Sequence, residues 1–483
     1  MFRPLTATIT AALLAGLLLQ GPAPVFAAAN DIYVGSAADA TAASSCDDPD
    51  FSTNVADEGD INSAIDAALT AVDDDEDVVI ICDGEYTYAD DINVFDANIG
   101  DNHSVITIRG ETAGDVTLDG DGDYQLFVFS NMDSVSISGV DFLDAYVDGD
   151  GAAVRMSEGG SLSVSDCSFE SGFATGAGSA IYSDGGHVTV DGCSFTGNQS
   201  DDNDGAIYVD HAPADLGVTV TDSTFTDNTS GGDGAAISVN GADPAALISV
   251  TDSTFTNNDG AWGAITIDNG GVNLLRVRME GNDSEDDGGA VWAGEFLTVA
   301  HSTFVDNSAD LGGAILSDGD TSIDSSTFRL NSSDSEGGAV YLSNCDSFEI
   351  TDSVFDRNTA GDSGGAVNNA CNPDGVSGIV TGNTFSSNTA GSYGGAMDND
   401  VGAAAVLVYT RNIFRSNVSA STGGALWVDS GIFSKNTFRS NRADGCGGAV
   451  RLTGTDHNTL KRSGNRFSSN RGGGSRRTWD VCR

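Results

Sequence analysis

Lysine and arginine are scarce in this sequence. Of its 483 residues, 20 are Lys or Arg and 72 are Asp or Glu, and Lys435 and Lys461 are the only lysines. The formal net charge of −52 argues against nucleic acid as a partner, because proteins that bind nucleic acid place a basic surface against its phosphates. Three explanations of the abundant aspartate are open: tight turns, adaptation to high salt and bound calcium.

The few basic residues are concentrated at one end. From Ala403 onward there are 13 Lys and Arg against 4 Asp and Glu, a net of +9, so the first 402 residues carry −61. Two interpretations are open. This end either binds an anionic polymer or the acidic flank of a neighbouring molecule, or it simply exposes Arg where earlier repeats expose Asp.

Long apolar runs are absent after the N-terminus. Residues 1–29 contain Arg3, an apolar stretch over 11–19 and small residues up to Ala29, which is typical of a secretory signal peptide cleaved after Ala27 or Ala29. No later stretch approaches the roughly 18 to 20 apolar residues of a membrane helix. We therefore expect a protein that is secreted or held at the cell surface, without a transmembrane segment.

Motifs for catalysis or metal binding are missing as well. The five histidines are scattered without the spacing of metal ligands. The glycine-rich stretches form neither a phosphate loop nor a nucleophile elbow. No motif therefore indicates an enzyme.

A repeat is the dominant feature that is present. An apolar residue stands three positions before an Asn in eleven units, which follow one another every 24 to 30 residues and alternate with a Gly-Ala-aliphatic sequence. One such unit cannot cover its own apolar face, so a fixed period of this length predicts units stacked into a solenoid. The pairs are Phe195/Asn198, Phe225/Asn228, Phe255/Asn258, Met279/Asn282, Phe304/Asn307, Phe328/Asn331, Phe355/Asn358, Phe385/Asn388, Phe414/Asn417, Phe438/Asn441 and Phe467/Asn470.

Each unit has the pattern of short strands joined by corners. Residues 218–225 alternate apolar and polar side chains with a period of two, which is typical of a strand with one buried face. We expect about three strands per unit, with the Phe side chains stacked inside and the Asn side chains hydrogen-bonded between units. The prediction is an all-β parallel solenoid of roughly 12 to 14 rungs whose repeat body spans residues 121–470.

The N-terminal part differs from the repeats. Asp60 precedes residues 61–72, whose apolar positions have helical spacing, and residues 78–81 then form a short apolar run typical of a buried strand. An amphipathic helix at this place would cover the open apolar end of a stacked array. We assign residues 30–120 to this cap and the first rungs, and residues 471–483 to a C-terminal tail.

The eight cysteines predict disulfides in an exported chain. Cys167 and Cys193 both lie two residues before the Phe of their units, and Cys345 and Cys371 follow Gly-Gly at nearly equal offsets, so stacking would bring each pair together. The remaining pairs would tether the two ends of the chain. Free buried thiols or another pairing are the alternative. The predicted bonds are Cys167–Cys193, Cys345–Cys371, Cys46–Cys82 and Cys446–Cys482.

These residues resemble two known groups of proteins. Gly-Gly-Ala-aliphatic alternating with Phe-x-x-Asn resembles the repeat of polymorphic outer-membrane proteins, as at residues 312–315 and 328–331. The opening resembles the capped start of the pectin-lyase-like superfamily, which implies a right-handed parallel β-helix over roughly residues 55–470. Because the sequence ends almost at the last repeat, we expect no autotransporter barrel.

The pectin-lyase-like resemblance also implies a catalytic hypothesis, in which carboxylates hold calcium against an acidic sugar while an Arg or Lys removes a proton. Arg276 and Arg278 are the candidate bases, because they share a face near the acidic residues 285–287. However, Arg276 stands where Asp222 and Asp352 stand in other units, which favours an ordinary outward position.

Two acidic turns are candidate calcium sites. Alternating Asp side chains there resemble the start of an EF-hand loop, but Tyr124 and Ser130 replace the Gly and Glu that this loop needs. Plain acidic turns are the alternative. The candidate calcium ligands are Asp119, Asp121, Asp123, Asp148 and Asp150.

The function we expect is an adhesin-like binding or structural role outside the cell. Long, regular and charged faces suit an extended partner such as an extracellular glycan or a cell-surface polymer. The alternative is a polysaccharide lyase or hydrolase that acts on an acidic glycan with the help of calcium, the only candidate cofactor.

Overall fold

The computed structural model describes residues 31–35, 51–52, 77–87, 93–95, 105–201, 205–214, 217–371, 375–399, 401, 405–453 and 464–473. Its strands wind into a parallel β-solenoid of about 13 turns, which confirms the predicted fold class and size. The described ranges contain no helix, and hence none that is long and apolar enough to cross a membrane. The predicted signal peptide and the predicted capping helix at 61–72 lie outside the described residues.

Each turn contributes four strands, one to each of four parallel sheets, where the sequence predicted three. Sheet 1 has 16 strands, and its five-residue strands alternate inward apolar with outward polar side chains, as Ile248 and Val250 do between more exposed neighbours. Its strands, in sheet order, are Phe51–Ser52, Asp31–Gly35, Asp77–Ile81, Val105–Gly110, Ser134–Ser138, Ser161–Ser165, His187–Asp191, Gly217–Thr221, Leu247–Thr251, Gly271–Leu275, Phe296–Ala300, Asp320–Asp324, Ser347–Thr351, Ser377–Thr381, Val406–Thr410 and Ile432–Ser434.

Sheet 2 has 15 strands and carries the Phe column. The rings of successive turns stack face to face, with centroids 4.7 Å apart and planes 4° apart for Phe304 and Phe328. Met279 continues the column in register between Phe255 and Phe304. The strands are Gly84–Thr87, Val116–Asp119, Asp141–Leu143, Ser168–Glu170, Ser194–Thr196, Thr224–Thr226, Thr254–Thr256, Arg278–Glu280, Thr303–Val305, Thr327–Arg329, Val354–Asp356, Thr384–Ser386, Ile413–Arg415, Thr437–Arg439 and Arg466–Ser468.

Sheet 3 has 12 strands of two residues each. These are too short to show alternation, which is why the sequence pattern did not reveal them. They follow the corner that the Asn residues hold. The strands are Tyr146–Val147, Phe173–Ala174, Gln199–Ser200, Thr229–Ser230, Asp259–Gly260, Asp283–Ser284, Ser308–Ala309, Ser332–Ser333, Thr359–Ala360, Thr389–Ala390, Val418–Ser419 and Arg442–Ala443.

Sheet 4 has 14 strands and follows the glycine corner. There Gly337 has a φ of 66°, in the left-handed region that glycine tolerates. A Cβ on the next glycine, Gly338, would lie 2.3 Å from the Gly365 carbonyl oxygen of the following turn. The strands are Asn93–Phe95, Phe127–Ser130, Val154–Ser157, Ile181–Asp184, Ile207–Asp210, Ile237–Asn240, Ile265–Ile267, Val291–Ala293, Ile315–Ser317, Val340–Ser343, Val367–Ala370, Met397–Asn399, Leu426–Val428 and Val450–Leu452.

The predicted Asn ladder runs along the corner between sheets 2 and 3. The Asn331 side chain is fully buried, and its Nδ2 donates to the Phe304 carbonyl (3.1 Å) and to Asn358 Oδ1 (3.0 Å). The Asn331 backbone N–H also donates to Asn358 Oδ1, at 3.1 Å. Each Asn therefore satisfies backbone groups that the corner would leave unpaired in the interior.

A second ladder, which we did not predict, lies two residues before the Phe column. Asn383 Nδ2 donates to the Ile350 carbonyl (2.7 Å) and to Asn412 Oδ1 (3.1 Å), and Asn436 and Asn465 continue the series. In most of the earlier turns a serine occupies this column. The Oγ of each accepts the backbone N–H of the preceding turn, as Ser253 does from Ser223 at 3.1 Å.

The cysteine predictions have different outcomes. Cys345 and Cys371 form a disulfide between adjacent turns, with Cα atoms 4.9 Å apart, as predicted. Cys82 and Cys446 are also disulfide-bonded, and their predicted partners, Cys46 and Cys482, lie outside the described residues.

Cys167 and Cys193 differ from the prediction, because the structure holds them as buried free thiols. They occupy the second ladder column on adjacent turns, where the Cys167 backbone N–H lies 3.5 Å from Cys193 Sγ. A hydrogen bond between the two thiols, together with burial, raises the pKa of Cys167 above its ordinary value. Stacking therefore brings the sulfurs together as expected, without the bond.

Candidate functional site

The candidate catalytic arginines lie on the surface and are ion-paired. Arg276 stands at the corner between sheets 1 and 2, and Arg278 stands on the sheet 2 strand that follows. Arg276 binds Asp252 of the preceding turn, whereas Arg278 Nε donates to Glu280 at 3.0 Å. Neither guanidinium is free to act as a base, and the acidic residues 285–287 lie beyond the next strand, near sheet 4.

The predicted calcium ligands take part in turn structure. Asp119 Oδ1 accepts the backbone N–H of Asp121 at 2.8 Å, and Asp121 has the left-handed φ of 51° that such a turn needs. Asp148 and Asp150 accept hydrogen bonds from the next turn. No three of the candidates, which include Asp123, form a compact ligand group among the described residues. Calcium binding at these turns stays a prediction.

One compact group of possible metal ligands does occur in the described ranges, and it was not predicted. Asp184 and Asp210 are in register on adjacent strands, and His211 Nδ1 lies 2.9 Å from Asp210 Oδ1 and 3.9 Å from Asp184 Oδ1. The His211 side chain is 71% exposed. We assign no metal to it, because the contacts are those of an ordinary surface pair.

A row of aromatic residues marks the outer side of sheet 4. The strand register places the residue after the first aliphatic residue of each strand in a single outward column along the rod. We call this column, with the two rings that pack on it from the preceding loops, the aromatic face. Its column rings are Tyr182, Tyr208, Trp292, Tyr341 and Trp427, and its loop rings are Trp262 and Tyr393.

The rings form three pairs. Tyr182 and Tyr208 lie 5.6 Å apart, Trp262 and Trp292 lie 4.9 Å apart edge to face, and Tyr393 and Trp427 lie 6.0 Å apart. The first pair is nearly covered, and the Arg155 guanidinium lies 5.5 Å from the Tyr182 ring centroid. In the other two pairs, Trp262 and Trp427 are partly exposed and Tyr393 is 43% exposed, so ring surface is available to a ligand there.

Carboxylates flank the column on both sides. Burial raises the pKa of the Tyr182 hydroxyl to about 12, with Asp150 on one side and Asp210 and Asp184 on the other adding to the effect. Farther along the rod, burial and then Glu336, Asp287 and Asp318 raise the pKa of Tyr341. The aromatic face is therefore a strip of rings between two rows of negative charge.

Asp287 is the most perturbed carboxylate on this face. Its pKa is raised to about 6, first by partial burial and then by the charges of Asp310 and Asp286. Its backbone is paired with Leu311 in the next turn, which fixes its place at the edge of the strip. At neutral pH the group is largely ionised, so the strip keeps its negative charge.

Sequence reasoning missed the aromatic face, although a signal was present. Each ring of the column directly follows the aliphatic residue after the corner alanine, as Trp292 follows Val291 and Trp427 follows Leu426. Recognising these residues as one surface requires the register between turns.

Comparisons with known proteins support the fold. Residues 89–275 match the family described as right handed beta helix region, which agrees with the predicted handedness for that segment. No curated protein matches the sequence. The resemblance of the repeat to polymorphic outer-membrane proteins stays a prediction.

Several solved structures are distantly similar. A PL6 family polysaccharide lyase from Pseudopedobacter saltans is 12% identical, over 87% of this chain and 98% of that chain, with a TM-score of 0.39. The surface adhesin PfbA of Streptococcus pneumoniae is 11% identical, over 86% and 90%, with a TM-score of 0.34. ORF18 of Geobacillus virus E2 is 11% identical over 56% of this chain, which spans about half (53%) of that chain, with a TM-score of 0.31. Such distant likenesses carry no argument about function.

Proposed function

We propose that this protein is an exported, adhesin-like binding protein whose aromatic face holds an extended glycan. The observation that carries the proposal is the row of rings in register on sheet 4 between two rows of carboxylates. Ring faces pack against the apolar faces of sugars, and carboxylates accept hydrogen bonds from sugar hydroxyls.

The length of the face favours a polymer over a single sugar. Trp292 and Trp427 are five turns apart in the strand register, which is roughly 24 Å at the spacing of neighbouring strands. Asn368 and Asp398 stand in the same column between them. Both side chains are buried, so an extended chain would contact the two exposed ring pairs and span the turns between them.

The charge of the face selects among glycans. The charges of Glu336, Asp287 and Asp318 act together on the hydroxyl of Tyr341. A uronic-acid polymer would meet this negative potential unfavourably, whereas a neutral or amino-sugar polymer would not. We therefore expect neutral or amino-sugar polymers to bind more tightly than acidic ones when calcium is absent.

A lyase or hydrolase acting on an acidic glycan is the second candidate function. It would need calcium to offset the negative charge of the face and a base beside the sugar. Arg276 and Arg278 do not meet the second requirement, because each is ion-paired with a neighbouring carboxylate, Asp252 and Glu280 respectively. The binding role is the one that these contacts support.

A binding panel tests the proposal. Purified protein is titrated with neutral, amino-sugar and acidic polysaccharides, with and without calcium, and binding is measured by calorimetry. Trp427→Ala and Trp262→Ala are each expected to weaken binding about 2- to 10-fold, which corresponds to one lost ring contact. Tyr146→Ala is the control, because Tyr146 stacks on Phe173 at 5.6 Å on the outer side of sheet 3, off the aromatic face.

Two results would contradict the binding role. Equal affinities of the ring variants and the wild type would remove the aromatic face as the site. Calcium-dependent release of unsaturated sugar ends from an acidic polysaccharide would instead establish the lyase.

A further inference from the structure

The last turns of the rod carry a cluster of exposed basic side chains. Arg411 and Lys435 stand at the corner between sheets 1 and 2, and both have a left-handed φ, of 58° and 59°. Arg415 and Arg439 are in register on adjacent strands of sheet 2, and Arg466 begins the next strand. All five side chains are exposed. We call these five residues the basic face.

The basic face has no carboxylate partner within the described part of the chain. The ion pairs found there involve Arg276, Arg278, Arg357, Arg442 and His211, and none of the five. Like charges directly opposite on neighbouring strands destabilise a sheet. The stacked Arg415 and Arg439 therefore carry a cost that an external anion would relieve.

An earlier turn shows how a basic side chain at this corner is paired with a carboxylate. Arg276 occupies the same corner column as Arg411 and binds Asp252, which holds the corner of the preceding turn. In the turn that precedes Arg411, the same corner position is held by Gly382, whose backbone N–H donates to the Thr410 carbonyl. Arg411 thus has the corner position of Arg276 without the carboxylate beside it.

The opposite end of the same corner is acidic. Asp166 and Asp222 stand at the corner, Asp191 ends the sheet 1 strand beside them, and Glu170 lies in the sheet 2 column that later holds Arg415 and Arg439. These four carboxylates, which we call the acidic corner, are exposed. Partial burial and then the charges of Asp222 and Asp166 raise the pKa of Asp191, which shows that these carboxylates lie close enough to repel one another.

We propose that the basic face binds the acidic corner of a second copy of this chain, which gives staggered, head-to-tail association. The two surfaces lie on the same side of the rod at different heights. An antiparallel dimer would make the contact twice but would lay the two acidic bodies side by side, whereas a parallel, staggered arrangement avoids this repulsion and leaves each bound copy a free surface for the next. A free anionic polymer is the weaker candidate, because beyond these last turns it would run along a body that carries −61 over residues 1–402. The proposal is independent of the glycan-binding role.

Sedimentation velocity of the whole exported protein tests the proposal. We expect species larger than the monomer that grow with protein concentration at low salt. These should dissociate near 1 M salt, where the Debye length is about 3 Å. The double variant Arg415→Glu with Arg439→Glu should remain monomeric at low salt. Arg329→Glu is the matched control, because Arg329 stands in the same sheet 2 column in an earlier turn, and it should associate like the wild type.

A reciprocal variant decides the identity of the partner surface. Glu170→Arg with Asp191→Arg should also be monomeric alone. An equimolar mixture with the Arg415→Glu/Arg439→Glu protein should form a heterodimer, because the intact basic face of one variant can still bind the intact acidic corner of the other. The heterodimer cannot grow further, since the two surfaces that it leaves free are the altered ones.

The possible outcomes distinguish association between copies from binding to an anionic polymer. A heterodimer in the mixture, with monomers in each variant alone, supports the proposal. Concentration-independent monomer for the wild type at low salt overturns it, as does wild-type association by either double variant. Retention of a monomeric wild type on an anionic polymer, lost in the Arg415→Glu/Arg439→Glu variant, would show that the partner is the polymer instead. The neutral variant Arg411→Gln with Lys435→Gln replaces the Arg415→Glu/Arg439→Glu protein if the far-ultraviolet circular dichroism of the latter differs from that of the wild type.

Discussion

Arg276 donates two hydrogen bonds to the carboxylate of Asp252, from Nε to Oδ1 at 2.5 Å and from Nη2 to Oδ2 at 2.6 Å. The two residues hold equivalent corner positions on adjacent turns. The hydrogen bonds from Arg276 lower the pKa of the Asp252 carboxyl. This bidentate pair explains why a basic residue is accepted at a corner that otherwise favours Asp.

The ion pairs of Arg276 with Asp252 and of Arg278 with Glu280 predict that neither arginine takes part in glycan binding or in catalysis. Arg276→Gln and Arg278→Gln should each bind the preferred polysaccharide with wild-type affinity, measured by calorimetry. The Trp427→Ala protein is the positive control for loss of binding. A loss of affinity or of a sugar-cleaving activity in either Arg variant would restore the catalytic hypothesis.

The Asn ladder predicts a large effect of a small change. Asn331→Ala removes the bonds that Asn331 donates and leaves the side-chain donor of Asn307, which lies 2.9 Å from Asn331 Oδ1, without its partner. We expect a loss of roughly 2 to 4 kcal/mol in unfolding free energy, because several buried groups become unsatisfied. Denaturant unfolding measures it. Asn273→Ser, on the outer side of sheet 1, should change stability by less than about 0.5 kcal/mol, and equal effects of the two changes would contradict the ladder's role.

In the Phe column we expect side-chain volume to affect the free energy of unfolding more than aromatic character does. Phe328→Ala should cost about 3 to 5 kcal/mol, because the neighbouring rings on both sides cannot close the cavity. Met279→Leu, at the one non-aromatic place in the repeat column, should cost less than about 1.5 kcal/mol because it conserves volume. The measurement is again denaturant unfolding. A small cost for Phe328→Ala would mean that the turns collapse onto one another.

The cysteines predict a difference between two stacked pairs. Cys371→Ser should lower stability by about 2 to 4 kcal/mol, since it opens a loop closed by the Cys345–Cys371 bond. Cys167 and Cys193 are buried free thiols in the structure, so we expect both to react with an alkylating reagent once the chain is unfolded. Alkylation under denaturing, non-reducing conditions followed by intact mass measurement decides this. Two modified thiols would agree with the structure, whereas none would show that Cys167 and Cys193 are joined.

The raised pKa of Asp287 predicts that the stability of the fold depends on pH. Its pKa is raised from 3.8 to about 6 in the folded state, so between these values the folded chain holds more protons than the unfolded chain and stability falls as pH rises. Asp287→Asn removes this effect. Because the group is only half-buried, the gain should be about 1 to 2 kcal/mol above pH 6 and near zero below about pH 4. Thermal unfolding across this range measures it, with the exposed corner variant Asp227→Asn as the control. A gain that does not change with pH would contradict the assignment.

Much of the interior followed from the sequence. A side chain that points inward meets its equivalent from the next turn, so Phe328 stacks on Phe355 and Asn331 binds Asn358, and the same residue type recurs at a fixed spacing. The second ladder was missed although Asn383 and Asn412 stand two residues before Phe385 and Phe414. Earlier turns use Ser, Cys or Val there, which hides the column.

The outer surfaces were decided by the tertiary structure. The sequence by itself determined the period, the inward columns, the fold class and the concentration of positive charge at one end, because these depend on residue type and spacing alone. It did not determine that Trp292, Tyr341 and Trp427 share one face, that Arg276 binds Asp252, or that Arg415 lies directly beside Arg439. Those relationships depend on the register and on four corners per turn, which carry residues 24 or more positions apart to neighbouring places on the rod.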